Sequence, residues 1–118
     1  MFIFETFPVY QHAQKVYKEI IEYLKKNTVD RYVSDQLRRA MLSVVLNIAE
    51  GSGKYSSKEK KRYYLIARGS VYECVALTNL LEVAEADRSR LAVWKDTLLL
   101  IHKMLSGMVK VLMEKIKQ

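Results

Sequence analysis

The chain has 118 residues, a formal net charge of +7 and a hydrophobic content of 50%. This length accommodates one domain with a substantial core, spanning residues 1–118, and is too short for two ordinary domains. The apolar content argues against disorder, and the positive charge favours acidic partners, such as nucleic acid or an acidic protein surface. Cys74 is the only cysteine, which excludes an intrachain disulfide and fits a reducing compartment.

The sequence contains no pattern typical of secretion or membrane insertion. Its N-terminus lacks a basic stretch and meets Glu5 and Pro8 before any long apolar run. The longest uncharged run, residues 40–49, has ten residues, whereas a membrane span needs roughly 18. We therefore expect a soluble, cytoplasmic protein.

Apolar spacing predicts four helices. The first spans about residues 8–26, with Pro8 in the opening turn, where a missing N–H costs nothing. Its apolar positions are Val9, Ala13, Val16, Ile20 and Leu24. The second spans about residues 30–50, with Asp30 or Ser34 as the N-terminal cap and Gly51 as the C-terminal stop.

The third helix begins at a capping box, in which Ser56 and Glu59 are expected to satisfy each other's free backbone N–H groups, and it continues to about Glu85. The fourth spans about residues 91–117. Its apolar positions repeat at strict 3-4 steps: Leu91, Trp94, Leu98, Ile101, Leu105, Met108 and Leu112. Such a repeat is typical of a bundle seam. Because the connections are short, the sequence predicts an all-α, antiparallel up-down-up-down four-helix bundle.

The second predicted helix has two apolar sides. One side consists of Leu37, Met41, Val44 and Ile48, and the other of Leu42, Leu46 and Ala49. A surface helix in a small bundle normally carries a broad polar face instead. A chain of this size has little room to bury both sides, so we expect a neighbouring subunit to cover one of them. The sequence therefore predicts a homo-oligomer.

A narrow polar stripe runs along the same helix. It consists of Gln36, Arg39, Ser43, Asn47 and Glu50. In one interpretation this stripe is the solvated edge of the helix. In the other, Arg39, Asn47 and Glu50 form a structural polar network with Glu73 of the third helix, within or between subunits. A network is required if these residues are covered, because a buried charge without a partner costs several kcal/mol.

Residues 54–68 contain six cations and one anion, and therefore hold most of the net charge. The cations are Lys54, Lys58, Lys60, Lys61, Arg62 and Arg68, and the interleaved tyrosines are Tyr55, Tyr63 and Tyr64. Such a cluster can contact phosphates while its tyrosines stack on unpaired bases. The alternative is a solvated helix start with Tyr63 or Tyr64 in the core. We take the six cations and Tyr55 as the candidate nucleic-acid-binding residues.

Several motifs resemble those of one protein family. The segments QLRRA at residues 36–40 and NIAEG at residues 47–51, with Ser43 between them, resemble the signature of the 23S rRNA intervening-sequence proteins. The segment ARGS at residues 67–70, followed by Glu73, is similar to the continuation of this pattern. The resemblance covers essentially the whole chain. It departs from the family pattern at residues 44–46, which read Val-Val-Leu, and at Tyr10, where tryptophan is common.

This resemblance implies an antiparallel four-helix bundle that assembles as a ring-shaped homopentamer. Some family members are encoded within insertions in bacterial 23S rRNA genes, and most have no established biochemical role. A related fold serves as the accessory protein of diversity-generating retroelements, where a basic pentamer binds a reverse transcriptase and nucleic acid. We therefore expect an oligomeric basic module that contacts RNA or DNA. The alternative is a protein-interaction scaffold that recruits a reverse transcriptase or another acidic protein partner.

No constellation typical of catalysis is found in the sequence. The segment GSGK at residues 51–54 lacks the first glycine of a phosphate loop, continues with Tyr55 and follows a helix rather than a strand. His12 and His102 lie on different predicted helices, without a third ligand at metal spacing. Cys74 is interpreted as a small buried side chain rather than a nucleophile or metal ligand. We expect a non-enzymatic protein without a metal or cofactor.

Overall fold

The structure is a computed structural model that describes residues 1–84 and 87–118. All regular structure in these two ranges is helical, which confirms the predicted all-α class with four helices. The elements, in chain order, are a 3-10 turn (Ile3–Thr6), α1 (Pro8–Lys26), α2 (Arg31–Ser52), α3 (Ser57–Val83) and α4 (Arg88–Lys117). The predicted end of the third helix, at Glu85, lies outside the described residues.

Side-chain caps start α2 and α3. The Asp30 carboxylate accepts a hydrogen bond from the Val33 backbone N–H at 3.1 Å, so Asp30 rather than Ser34 is the cap of α2. The Ser56 hydroxyl likewise accepts from the Glu59 backbone N–H at 3.1 Å. The other half of the predicted capping box differs, because the Glu59 carboxylate accepts from the Ser56 hydroxyl at 3.3 Å instead of from its backbone N–H. The hydroxyl is itself a donor within reach of this carboxylate.

The four helices pack in a closed cycle. α1 packs against α2 and α4, and α3 packs against the same two helices. This places α1 opposite α3 and α2 opposite α4. Each helix therefore turns one side toward a common core.

The core contains the apolar positions that the spacing predicts, with one exception on α4. Val9, Ala13, Val16, Ile20 and Leu24 of α1 are all buried, as are Leu37, Met41, Val44 and Ile48 of α2. On α4, Met108 is only half-buried and Val109 takes its place in the core. The strict 3-4 repeat fails here because an α-helix has 3.6 residues per turn, so a seven-residue pattern drifts around the helix axis over several turns.

Trp94 links three of the helices at the centre of the core. Its indole N–H donates a hydrogen bond to the Thr78 hydroxyl at 3.1 Å, and this hydroxyl donates to the backbone carbonyl of Cys74 at 2.7 Å. The edge of the Tyr23 ring meets the Trp94 ring with a centroid distance of 5.2 Å. The one fully buried polar side chain of this region, Thr78, is thus satisfied on both sides.

Gly51 does not end α2, contrary to the prediction from its sequence. The helix continues to Ser52, and the backbone N–H of Gly53 closes the end by bonding to the Glu50 carbonyl at 3.2 Å. Gly51 is buried, and a Cβ atom there would lie 2.8 Å from Cε1 of Tyr64 and 2.9 Å from Cβ of Tyr63. The glycine is therefore needed because α3 approaches the end of α2 too closely for any side chain.

We expect the substitution Gly51→Ala to lower the free energy of unfolding by about 1–3 kcal/mol, because the added methyl group overpacks the contact with Tyr64. The control is Gly69→Ala in the middle of α3, where a Cβ would meet no atom within 4 Å. This control is expected to keep or raise the stability, by up to about 1 kcal/mol, because alanine favours helix. Urea unfolding followed by circular dichroism, at one fixed protein concentration, measures both. A Gly51→Ala variant as stable as the control would contradict this account.

We further expect the Cys74 thiol to be unreactive in the folded protein. The side chain is fully buried, and burial, with a smaller contribution from the charge of Glu73, raises the pKa of the thiol to about 12. Because the thiolate is the reactive form, modification by Ellman's reagent at pH 8 should be at least about a hundredfold slower than in urea. Equal rates in the two conditions would show that the thiol is accessible in the fold.

Candidate nucleic-acid interface

The turn between α2 and α3 concentrates the predicted basic residues at one end of the four-helix fold. The turn is tight: the Lys54 backbone N–H bonds to the Gly51 carbonyl at 3.2 Å, and α3 starts at Ser57. The cations of residues 54–62 therefore surround the junction of the two helices. They divide into cations that fasten this junction and cations that face solvent.

Lys54 and Lys60 fasten the junction. The Lys54 ammonium lies 3.7 Å from the Glu50 carboxylate and 5.1 Å from the centroid of the Tyr63 ring. The Lys60 ammonium donates a hydrogen bond to the Ser52 backbone carbonyl at 3.2 Å, at the C-terminal end of α2. A cation at this position satisfies a free carbonyl and the negative end of the helix dipole. Both lysines thus have structural contacts that the sequence interpretation did not foresee.

Tyr55, Lys58 and Arg62 face solvent and form what we call the basic edge. Tyr55 is 101% exposed, and Lys58 and Arg62 belong to the exposed class. Arg62 also lies 5.6 Å from the centroid of the Tyr63 ring, which holds its guanidinium over an aromatic face. The predicted residue Lys61 is half-buried beside this edge. The basic edge therefore combines two exposed cations with one fully exposed aromatic ring.

Tyr64 belongs to the core rather than to the basic edge. Its ring is 4% exposed, and its hydroxyl shares a 2.9 Å hydrogen bond with the hydroxyl of Ser52. The sequence interpretation left open which of Tyr63 and Tyr64 packs inside. The structure buries Tyr64 and leaves Tyr63 half-buried, flanked by Lys54 and Arg62.

Arg68 stands apart from the basic edge. It lies two turns further along α3, is half-buried and donates a hydrogen bond to the Ser106 hydroxyl of α4 at 3.3 Å. This contact brings the C-terminal half of α4 alongside α3. Two exposed lysines of that half, Lys103 and Lys110, consequently lie on the same side of the fold as Arg68. Sequence reasoning missed them because it measured charge density along the chain and not across neighbouring helices, although their seven-residue spacing indicates one helix face.

The predicted polar network is not assembled within the described part of one chain. Arg39 and Glu50 are eleven residues apart on α2, which corresponds to about 16 Å along the helix, and Glu50 pairs with Lys54 instead. Arg39 and Glu73 are both exposed. The Asn47 side chain donates to the Ser43 carbonyl at 2.8 Å, and the Ser43 and Ser70 hydroxyls share a 2.8 Å bond. A network between copies of the chain stays a prediction.

The histidines and the GSGK segment show no shared site. His12 lies on α1 and His102 on α4, where its ring meets the Tyr72 ring at a centroid distance of 5.0 Å. Within residues 1–84 and 87–118, no three His, Cys, Asp or Glu side chains are grouped as metal ligands. Gly51 and Ser52 of the GSGK segment are part of α2 and not of a loop. Nor is any described helix both long and apolar enough to cross a bilayer.

Fold and site together define a class: a small four-helix protein with a basic edge at one end. A family model described as 23S rRNA-intervening sequence protein matches residues 5–107. The chain therefore belongs to the 23S rRNA-intervening sequence protein family, as its QLRRA and NIAEG segments suggest.

Solved structures support the same fold. A crystal structure of a protein with unknown function, from the S23 ribosomal protein family of Bacteroides thetaiotaomicron VPI-5482, is similar with a TM-score of 0.76. The similarity covers 86% of this chain and 98% of that chain at 21% sequence identity, which supports the helical fold alone. A search among curated proteins found no match.

Proposed function

We propose that this protein is a non-enzymatic module, an antiparallel up-down-up-down four-helix bundle that assembles with copies of itself and presents a basic surface to RNA or DNA. The antiparallel order is supported by hydrogen bonds between neighbouring helices, in which later residues of one helix pair with earlier residues of the next. On α3 and α4, Arg68 bonds to Ser106 whereas Thr78, further along α3, bonds to the earlier Trp94. The ring of five subunits is the assembly that the family resemblance implies.

Self-assembly is supported by the second apolar side of α2. Leu42 and Leu46 are 43% and 52% exposed, whereas the opposite side of the same helix is fully buried. Apolar patches of this kind on soluble proteins mark interaction surfaces. A second copy of the chain is the simplest surface to cover them.

Contact with nucleic acid is supported by the basic edge, and above all by Tyr55. This ring is fully exposed in the turn that leads into α3, and the exposed cations Lys58 and Arg62 lie in the first two turns of that helix. Exposed aromatic rings beside cations suit single-stranded nucleic acid, because the bases stack on the ring while the cations contact phosphates. An assembly would repeat this edge once per subunit and so increase the avidity for a long strand.

The double variant Lys58→Ala/Arg62→Ala tests the basic edge. Binding to a fluorescently labelled single-stranded RNA is measured by anisotropy at several salt concentrations. If both cations contact phosphates, the slope of log K against log salt should become shallower by about 1.4, since each contact with a single strand contributes about 0.7. The control is Lys25→Ala/Lys26→Ala, which removes two exposed cations from the end of α1. Its net charge equals that of the Lys58→Ala/Arg62→Ala variant.

A stacking role of Tyr55 gives a different signature. The substitution Tyr55→Ala should weaken binding by about 1–3 kcal/mol without changing the salt slope. If Lys58→Ala/Arg62→Ala and the control Lys25→Ala/Lys26→Ala lose the same amount of RNA affinity, binding responds to net charge only. Absence of salt-dependent binding by the wild-type protein at low salt would refute the proposal.

The alternative function is a scaffold that recruits a protein partner. It is favoured by an apolar groove of about 310 Å³ between α3 and α4, with Val75, Leu99 and His102 in its lining and Arg68 and Lys103 further along the same two helices. An acidic, partly apolar protein segment fits such a groove. A reverse-transcriptase gene next to this one would favour the scaffold, and a location within an rRNA gene insertion would favour the RNA-linked role.

A further inference from the structure

α4 carries a second uncharged stripe outside the core, which we call the α4 stripe. It consists of Val93, Thr97, Leu100, Met104, Gly107 and Val111, at alternating steps of four and three. Val93, Leu100 and Val111 are 59%, 41% and 56% exposed. Six successive uncharged residues at this spacing are the pattern of a helix–helix seam. Within one chain, the α4 stripe has neighbours only on the flank that faces α1. There Met104 and Gly107 line a groove together with Phe7 and Pro8.

The outer side of α2 has the same spacing, and we call it the α2 stripe. It consists of Leu42, Leu46 and Ala49, and the capping residue Gly53 continues the spacing, with steps of four, three and four. Leu42 and Leu46 are the exposed leucines that the core of one chain leaves uncovered. On one flank, Leu46, Ala49 and Gly53 line a groove together with Phe2, Ile3 and Phe4 of the N-terminal segment. Each of the two stripes therefore has neighbours of its own chain on one flank only. The stripes lie on α2 and α4, which occupy opposite corners of the helical cycle.

The two stripes lie at the same level along the molecule. Ser43 on α2 bonds to Ser70 on α3, and Arg68, two residues before Ser70, bonds to Ser106 on α4. The centre of the α2 stripe is therefore level with the part of α4 around Met104. Since α3 is paired in reverse order with both neighbours, α2 and α4 point in the same direction.

We propose that the α2 stripe of one copy docks in parallel against the α4 stripe of the next copy. This inference rests on the proposed self-assembly and specifies its contact. Such a contact joins two different surfaces of the same chain, so successive copies form a head-to-tail ring rather than a two-fold dimer. A rotation about an axis along the helices keeps α2 and α4 parallel and level, as their stripes require.

The charges beside the two stripes are complementary in this register. With Leu42 opposite Leu100 and Leu46 opposite Met104, Arg39 falls level with Asp96 and Glu50 falls level with Lys110. All four charged residues are exposed, and helical spacing places each on the side of its stripe that is nearer α3. In an antiparallel contact one helix is turned over, so Asp96 and Lys110 would lie on the other side of the seam from Arg39 and Glu50 and could not pair with them. The parallel contact also supplies a partner for Arg39 of the predicted polar network, and a second partner for Glu50 beside Lys54.

Gly107 supports the same contact. It lies in the interior of α4, where glycine costs about 1 kcal/mol relative to alanine, yet a Cβ at this position would meet no atom of its own chain within 4 Å. In the proposed register it stands opposite Ala49. Two small residues facing each other allow the backbones of two helices to approach closely, which gives the glycine a role.

The test uses two variants that each disable one stripe. Leu46→Glu removes the α2 stripe and Leu100→Glu the α4 stripe, and light scattering measures the molar mass. Each variant alone should fall to the 13.8 kDa of one chain, because every head-to-tail contact then contains a disabled surface. An equimolar mixture should recover particles of twice that mass, since one intact contact can form between the two variants.

The control is Leu99→Glu, the neighbour of Leu100, which is 51% exposed but lines the groove between α3 and α4. It should keep the wild-type mass. If Leu99→Glu and not Leu100→Glu breaks the assembly, the docking surface lies on the wrong side of α4. If the mixture stays monomeric, or if only one of the two stripe variants loses mass, the contact is not head-to-tail between these stripes. A wild-type protein that is itself monomeric would instead refute the proposed self-assembly.

A cross-linking measurement covers the case in which a glutamate variant fails to fold. The double variant Leu46→Cys/Met104→Cys places two thiols on diagonally opposite helices, so a disulfide between them must join two copies. Mild oxidation should produce a ladder of covalent multimers on a denaturing gel, and the highest rung counts the subunits. A band no larger than a dimer, in a protein that assembles further before oxidation, would overturn the head-to-tail contact.

Discussion

α2 is apolar on two sides, and the core of one chain can cover only one of them. Its inner side is buried in the common core, where α2 packs against α1 and α3. Its outer side retains Leu42 and Leu46 at the surface. Burial of apolar surface stabilises by about 25 cal/mol per Å², so two exposed leucines and their neighbours represent free energy that only a second surface can recover. The proposed self-assembly, and the repetition of the basic edge that follows from it, both depend on this constraint.

The proposed contact between copies and the basic edge occupy different parts of the fold. The α2 and α4 stripes lie on opposite helices and border α1 and the N-terminal segment, whereas Tyr55, Lys58 and Arg62 lie at the junction of α2 and α3. Arg68 lies on α3, and Lys103 lies on the side of α4 that is nearer α3. Assembly through the stripes would therefore leave α3 and its cations open to an anionic partner. Self-assembly and ligand binding would support each other, because each added copy repeats the same basic edge.

Local signals in the sequence predicted most of the helical framework. Pro8, Asp30 and Ser56 start three helices as expected, because helix starts depend on side chains that act within one turn. The apolar spacing also identified the core sides of α1 and α2. Local signals could not predict features that depend on how closely another helix approaches. Gly51 reads as a helix stop, but it is in fact the place where Tyr64 meets α2.

For the functional residues, too, the sequence predicted the local cluster but not the contacts that depend on the fold. The sequence identified the basic cluster, but it could not separate Lys54 and Lys60, which fasten the junction of α2 and α3, from the free cations Lys58 and Arg62. That distinction depends on distances across the turn. Likewise, spacing alone cannot separate the α4 stripe from the core seam of the same helix, because both repeat at steps of three and four. The burial of each side of α4 distinguishes them.

The most direct test of the central claim is the molar mass of the wild-type protein, measured by light scattering at several micromolar concentrations. A chain that must cover the outer side of α2 with another copy should give a defined multiple of 13.8 kDa, stable on dilution. A homogeneous species of 13.8 kDa across the same range would show that one chain tolerates its exposed leucines. That result would contradict the proposed self-assembly.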